Sequence, residues 1–165
     1  MVALKIAELK EFTKRLFVGE VFDTFLVREA NITTFNSITI DGKIRHGYYS
    51  DEELELGKIE RFSSWKVLRP FCFSLIKGSK LPESFFIVLQ LPPSGVEHFL
   101  ADKNIKFLPE LVNGLYMNIR YEDQILTCIT GTSVDQFTLD KTLDREWDEA
   151  VKNFLKKHEI AFEEQ

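Results

Sequence analysis

The chain of 165 residues is 44% apolar and carries fifteen Phe, which is enough for one folded domain with a real core and too apolar for a disordered chain. Its formal charge of −5 argues against nucleic-acid or anionic-membrane binding by bulk electrostatics, while leaving room for a basic working face on an acidic surface. Two cysteines, Cys72 and Cys128, are too few for a disulfide scaffold and lack metal-ligand spacing; lying in apolar runs, they read as small buried hydrophobes of a reducing compartment.

Charges at Lys5, Glu8, Lys10 and Glu11 interrupt the first residues, so they do not read as a signal peptide. No apolar run approaches the roughly 20 residues of a membrane span. The expectation is a soluble, cytoplasmic protein with no membrane association. Val2 to Ile6 suits a short strand or the first turn of a helix. Leu9, Phe12 and Leu16 recur at helical spacing through about Val18, with Lys14 and Arg15 in the last turn and Gly19 just beyond it. Residues 22–30 and 33–40 are rich in β-branched and aromatic residues and predict an antiparallel hairpin, with Asn31 in the connection and Asp41-Gly42 as a following turn. Residues 43–61 mix Gly, Tyr and the acidic DEELELGKIE, and read as an excursion or flexible loop.

The run 65–77, WKVLRPFCFSLIK, fits either period. Trp65, Leu68, Cys72 and Leu75 suit a helix, whereas Val67, Phe71 and Phe73 suit a strand. Pro70 disfavours a helix interior, and the turn-like Gly78-Ser79-Lys80 with the β-rich run 85–91 beyond it tips the expectation to strand. A strand over 85–91 follows, then a short helix to about Ala101 with Ser94 and Glu97 spaced as a capping box. Strands are predicted at 115–121, 125–130 and 136–139, with Glu122-Asp123 and Gly131-Thr132-Ser133 as turns. A last helix runs from Thr142 to about His158, with Leu143, Trp147, Val151, Phe154 and Leu155 as its buried stripe.

The predicted fold class is therefore α+β in a single domain spanning 1–165, an antiparallel sheet with helices on one face. Its element order reads as two βαβββ units, 2–77 and 85–140, closed by a C-terminal helix over 142–158. Two such units resemble one domain of a DNA sliding clamp: QLPPSGVEHFL reads like a clamp strand running into its helix, and GLYMNIRYEDQILTCIT like the hairpin after it. The resemblance implies a route to DNA. Clamp helices present basic residues, however, and the second helix here offers Glu97, His98 and Asp102. At the level of residues, ITTFNSITIDGK, GLYMNIRYED, LTCITGTS, FTLDK and WDEAVKNFL resemble an uncharacterised bacterial family defined only as a domain of unknown function, which implies no activity, cofactor or site residue.

Chemical signatures are sparse. His46, His98 and His158 lack any metal or catalytic spacing, and the acidic runs DEELE and DREWDE read as solvated faces. Asp140 reads equally as a cap of the last helix. The Gly131-Thr132-Ser133 segment lacks the Lys and following helix of a phosphate loop. No catalytic residue, metal site or cofactor is expected. Arg28, Lys43, Arg45, Arg61, Lys66 and Arg69 make the middle of the chain locally basic, with His46, Tyr48, Tyr49 and Trp65 interleaved. Arg28, Lys43, Arg45, His46, Tyr48, Tyr49, Lys66 and Arg69 are the binding residues this predicts. Two functions fit: a non-enzymatic binding or assembly module, acting through a protein partner, self-association or DNA, and a small-molecule binder or enzyme whose site lies under the 43–61 loop.

Overall fold

A computed structural model describes residues 1–165. Strand β1 (Ala3–Ile6) leads into helix α1 (Leu9–Phe17), which buries Phe12, Leu16 and Phe17 and ends where Val18 and Gly19 N–H both donate to the Lys14 carbonyl. Strands β2 (Leu26–Thr33) and β3 (Ser37–Asp41) form the first hairpin. Its turn lies at residues 34–36, later than expected, and Asn31 sits inside β2 with its amide donating to Ser37 and Thr39 hydroxyls. The shift has a packing cause: Phe22 and Phe25 are buried in a turn of their own, which leaves Val27, Ala30 and Ile32 to face the core.

The excursion contains one 3₁₀ turn (His46–Tyr48) and the short helix α2 (Asp51–Leu56). Helix α2 holds a capping box, whereas none forms at the Ser94–Glu97 spacing: Ser50 Oγ accepts from Glu53 N–H, and Glu53 Oε2 accepts from Ser50 N–H. Helix α3 (Trp65–Ile76) corrects the strand expected at 65–77. Trp65, Leu68, Cys72, Leu75 and Ile76 pack inward at helical spacing, and the residues a strand would have paired with them, Val67, Phe71 and Phe73, are exposed. Ser64 caps the helix and the Trp65 indole donates to the Leu16 carbonyl, so burial outweighs the bond that Pro70 removes.

Strand β4 (Ser84–Gln90) is followed by α4 (Pro93–Asp102), β5 (Val112–Glu122), β6 (Ile125–Val134), α5 (Thr142–Lys157) and β7 (Phe162–Glu164). Helix α4 starts on Pro93, whose fixed φ suits the first helical position; Ser94 is inside the helix and is not its cap. The β5–β6 turn is Asp123-Gln124, both at positive φ as a tight hairpin requires. Strand β6 continues through Gly131, Thr132 and Ser133, so that segment is not a turn. Residues 136–139 are irregular rather than a strand. With α3 in place of one predicted strand and 136–139 irregular in place of another, the first half runs β1-α1-β2-β3-α2-α3 and the second β4-α4-β5-β6, and the βαβββ order does not form.

The seven strands make one antiparallel sheet in the order β3-β2-β4-β5-β6-β1-β7. Alternation sends Ile87 and Leu89 of β4, Leu115, Met117 and Ile119 of β5, and Leu126 and Cys128 of β6 to the face covered by α1, α3, α4 and α5. The fold is α+β, with its helices on one face. The opposite face carries Glu29, Asn31, Phe86, Val88, Tyr116, Asn118 and Arg120, and α1, α3, α4 and α5 leave it uncovered. No helix is long and apolar enough to cross a membrane.

Candidate functional site

The excursion leaves the sheet through a hydrogen-bonded neck. Ser63 N–H donates to the Gly42 carbonyl, Ile44 N–H to Arg61, Gly42 N–H to Arg28 and Val27 N–H to Ser63. Lys43 and Phe62 face each other as an isolated antiparallel bridge. The close approach needs glycine at 42, because a Cβ there would lie 1.8 Å from the Val27 carbonyl oxygen. Strand β2 adapts with a bulge, its register against β4 shifting between Val27 and Glu29, so Arg28 is left over from the ladder and projects beside the neck.

The neck thus gathers residues that are distant in sequence. A cleft of about 540 Å³ is lined by Arg28, Glu29, Asp41, Lys43, Arg61, Phe62, Val88, Tyr116 and Asn118. The Arg28 guanidinium lies 4.7 Å from the centre of the Phe62 ring and 5.8 Å from that of Tyr116, and Arg61 approaches Phe62 at 5.9 Å. Each stack at such distances contributes roughly 0.5–1 kcal/mol and fixes a flexible cation without using its N–H groups. Neither Arg28, Lys43 nor Arg61 enters an ion pair, and no side-chain hydrogen bond engages them. Asp41, the nearest acid on β3, is already held by Arg45 at 2.7 Å and by Lys43 N–H at 2.9 Å. The result is three cations with unused donors in a chain whose net charge is −5.

Of the eight predicted binding residues, Arg28 and Lys43 line this cleft. Arg45 is occupied by Asp41, and His46 and Tyr48 are exposed on the 3₁₀ turn, where Tyr48 stacks edge-on against the half-buried Tyr49. Lys66 and Arg69 belong to α3, on the helical face. Arg69 grips both carboxylate oxygens of Asp23 at 2.9 Å and donates to the Val18 carbonyl; the Asp23 hydrogen bond raises its already high pKa further. Phe62, Tyr116 and Asn118 are cleft residues that sequence reasoning missed. The alternation of β5 carried the signal: with Leu115, Met117 and Ile119 inward, Tyr116 and Asn118 must face the open side. Gly114 completes the arrangement, since a Cβ at that position would meet the Tyr116 ring at 2.2 Å.

A larger cleft of about 940 Å³ lies between the end of β6, the 135–141 segment and the start of α5, and contains Asp135, Asp140, Asp144 and Asp148. Every one of these acids has a partner. Asp135 accepts from the Asn113 amide, Asp144 from the Thr132 hydroxyl and Lys141, and Asp148 from the Thr130 hydroxyl and the N-terminal ammonium. Hydrogen bonds from the Thr142 hydroxyl and amide hold the Asp140 carboxyl below its ordinary pKa, as befits a group at a helix start. No group of three or more His, Cys, Asp or Glu side chains is placed to hold a metal. Burial pushes the Cys72 thiol up to about 11 and Cys128 up to about 12, so both stay protonated.

Against known proteins, the chain matches the model of DUF5721, a family of unknown function, over residues 15–163. No curated protein and no solved structure matches it.

Proposed function

Since the chain belongs to that family of unknown function, its role has to be read from its own residues, and we propose that it is a non-catalytic binding module taking an anionic ligand with a flat unsaturated group in the Arg28 cleft. The reading rests on one observation: Arg28 is braced between Phe62 and Tyr116 with its donors unused, beside the equally unpaired Lys43 and Arg61. Guanidinium groups recognise phosphate or carboxylate oxygens through paired N–H bonds, and the aromatic faces beside them accept a planar ring. The cleft volume falls within the roughly 300–1,000 Å³ usual for small-ligand sites. A nucleotide and a single-stranded nucleic acid share this chemistry, and both fit an open sheet face.

Calorimetric titration of the full chain with inorganic phosphate, a nucleoside diphosphate and short single-stranded oligonucleotides tests the reading. The ring-bearing anions bind more tightly than phosphate alone, and each of Arg28→Ala and Arg61→Ala weakens them by about tenfold, or about 1.4 kcal/mol. Affinity that rises with oligonucleotide length and falls steeply with salt identifies a nucleic acid as the source; affinity that is independent of length identifies a free nucleotide. Absence of binding by all of these anions at millimolar concentration, or binding unchanged in both variants, removes the proposal.

A further inference from the structure

Helix α2 is anomalous in its own copy. It has a complete capping box, yet none of its six residues is buried, and Leu56 is 89% exposed. An isolated helix of that length is not stable in water, because tertiary packing supplies most helical stability. Its composition is one-sided as well: residues 51–60 hold Asp51, Glu52, Glu53, Glu55 and Glu60 against the single Lys58. The segment is an acidic, leucine-bearing helix with nothing to pack on.

The same chain carries the complement. Residues 61–82 contain Arg61, Lys66, Arg69, Lys77 and Lys80 and no acid. Arg69 is held by Asp23 and Arg61 belongs to the neck, so Lys66, Lys77 and Lys80 are the exposed cations on and just after α3. Among them the outer side of α3 leaves Val67 58% and Phe71 64% exposed, with Leu81 at 65% just beyond the helix. This is an apolar strip with a basic rim, on the covered face of the sheet, and nothing in its own copy covers it.

We propose that α2 of one copy docks across the α3 strip of a second copy, and reciprocally, in a two-fold dimer. Leu56 of one copy meets Val67 and Phe71 of the other, with Glu52 one turn earlier on the same side of α2, and the α2 carboxylates meet Lys66 and Lys77. Direct apposition of two α3 helices would put like charges together, and an anionic bilayer would match α3 while leaving the acids and Leu56 of α2 uncovered. A second copy satisfies both surfaces at once. Reciprocity doubles the contact, which a helix of six residues requires if the interface is to approach the roughly 1,200–2,000 Å² of a stable complex.

Two charge-reversed variants of the full chain test this by sedimentation equilibrium, with circular dichroism confirming that each is folded. Glu52→Lys with Glu55→Lys makes both surfaces basic, and Lys66→Glu with Lys77→Glu makes both acidic. The unaltered protein dimerises in a salt-sensitive manner, and each variant alone has its dimer constant weakened by about tenfold or more. An equimolar mixture of the two recovers a dimer, because every cross-contact is again complementary. Leu56→Asp, which leaves the α3 cations intact, also yields monomer. A wild-type protein that is monomeric at every concentration, variants that dimerise as well as wild type, or a mixture that fails to associate would each overturn the dimer. None of these outcomes bears on the Arg28 cleft, whose ligand binding is read separately.

Discussion

The two clefts of this molecule are alike in one respect and opposite in another. Each collects several like charges in one place: four aspartates around the start of α5, three cations around the neck of the excursion. The aspartates are all satisfied by hydroxyls, amides or ammonium groups of the fold, and two of them tie α5 to β6 through Thr130 and Thr132. Two of the cations, Arg28 and Arg61, are braced by aromatic rings that leave their donors unused, and Lys43 beside them is unpaired. What a charge cluster does is therefore told by the partners of its members, not by its size or by the volume of the cleft around it. The larger, acidic cleft is a piece of structure, and the smaller, basic one has the means to hold something else.

That contrast can be broken by experiment. The largest effect is expected at Gly42→Ala, where the new methyl overlaps the Val27 backbone carbonyl and the neck must open. Urea unfolding should show a loss of about 3 kcal/mol together with loss of ligand binding. A variant of unchanged stability would mean that the neck does not close as described. Next comes the acidic cleft. The Thr130 hydroxyl is fully buried, accepts from Val2 N–H and donates to Asp148. Thr130→Val should cost roughly 2 kcal/mol by leaving those groups unsatisfied, while ligand affinity measured on the folded variant stays at the wild-type value. Loss of affinity without loss of stability would reverse the roles assigned to the two clefts.

A smaller effect belongs to Gly114→Ala. The added methyl displaces only the end of the Tyr116 side chain, so the melting temperature changes little while affinity drops severalfold. Equal loss of both would make Tyr116 a structural residue. The smallest concerns pH. The Asp140 carboxyl is held below its ordinary value in the folded state, so its stabilising contribution is complete above the unfolded value of about 4 and disappears as pH falls through the depressed one. Asp140→Asn should remove that part of the acid dependence and leave the profile above it unchanged; a shift near neutral pH would contradict the assignment.

The fold was legible in the sequence wherever burial imposed a clean period. Helix α5, the β5–β6 hairpin and α1 follow their apolar residues closely, and the helices lie on one face as expected. Legibility failed where a single residue gave a strong local signal against a weaker distributed one. Pro70, with the turn and β-rich run after it, argued for strand while Trp65, Leu68, Cys72 and Leu75 argued for helix; the helix prevailed because those four and Ile76 bury more surface than one lost hydrogen bond costs. Ser94 looked like a cap, but the helix begins at Pro93, two residues earlier than a Ser94 cap would start it. Of the candidate site only Arg28 and Lys43 were legible, as basic residues of neighbouring strands. Tyr116 and Phe62 reach them only through strand order and the neck, and neither is a property of neighbouring residues.

The neck has one further consequence. Because the chain enters and leaves the excursion at hydrogen-bonded neighbours, Ile44 and Arg61, everything between them hangs from the sheet as a closed cassette. Its length contributes to stability only through the slow logarithm of loop closure, so a few glycines could stand in its place without disturbing a strand. Such an exchange would take away α2 and keep Arg28, Lys43 and Arg61. One cut would then separate the two roles inferred for the molecule, leaving a chain that still grips its anion but no longer finds its twin.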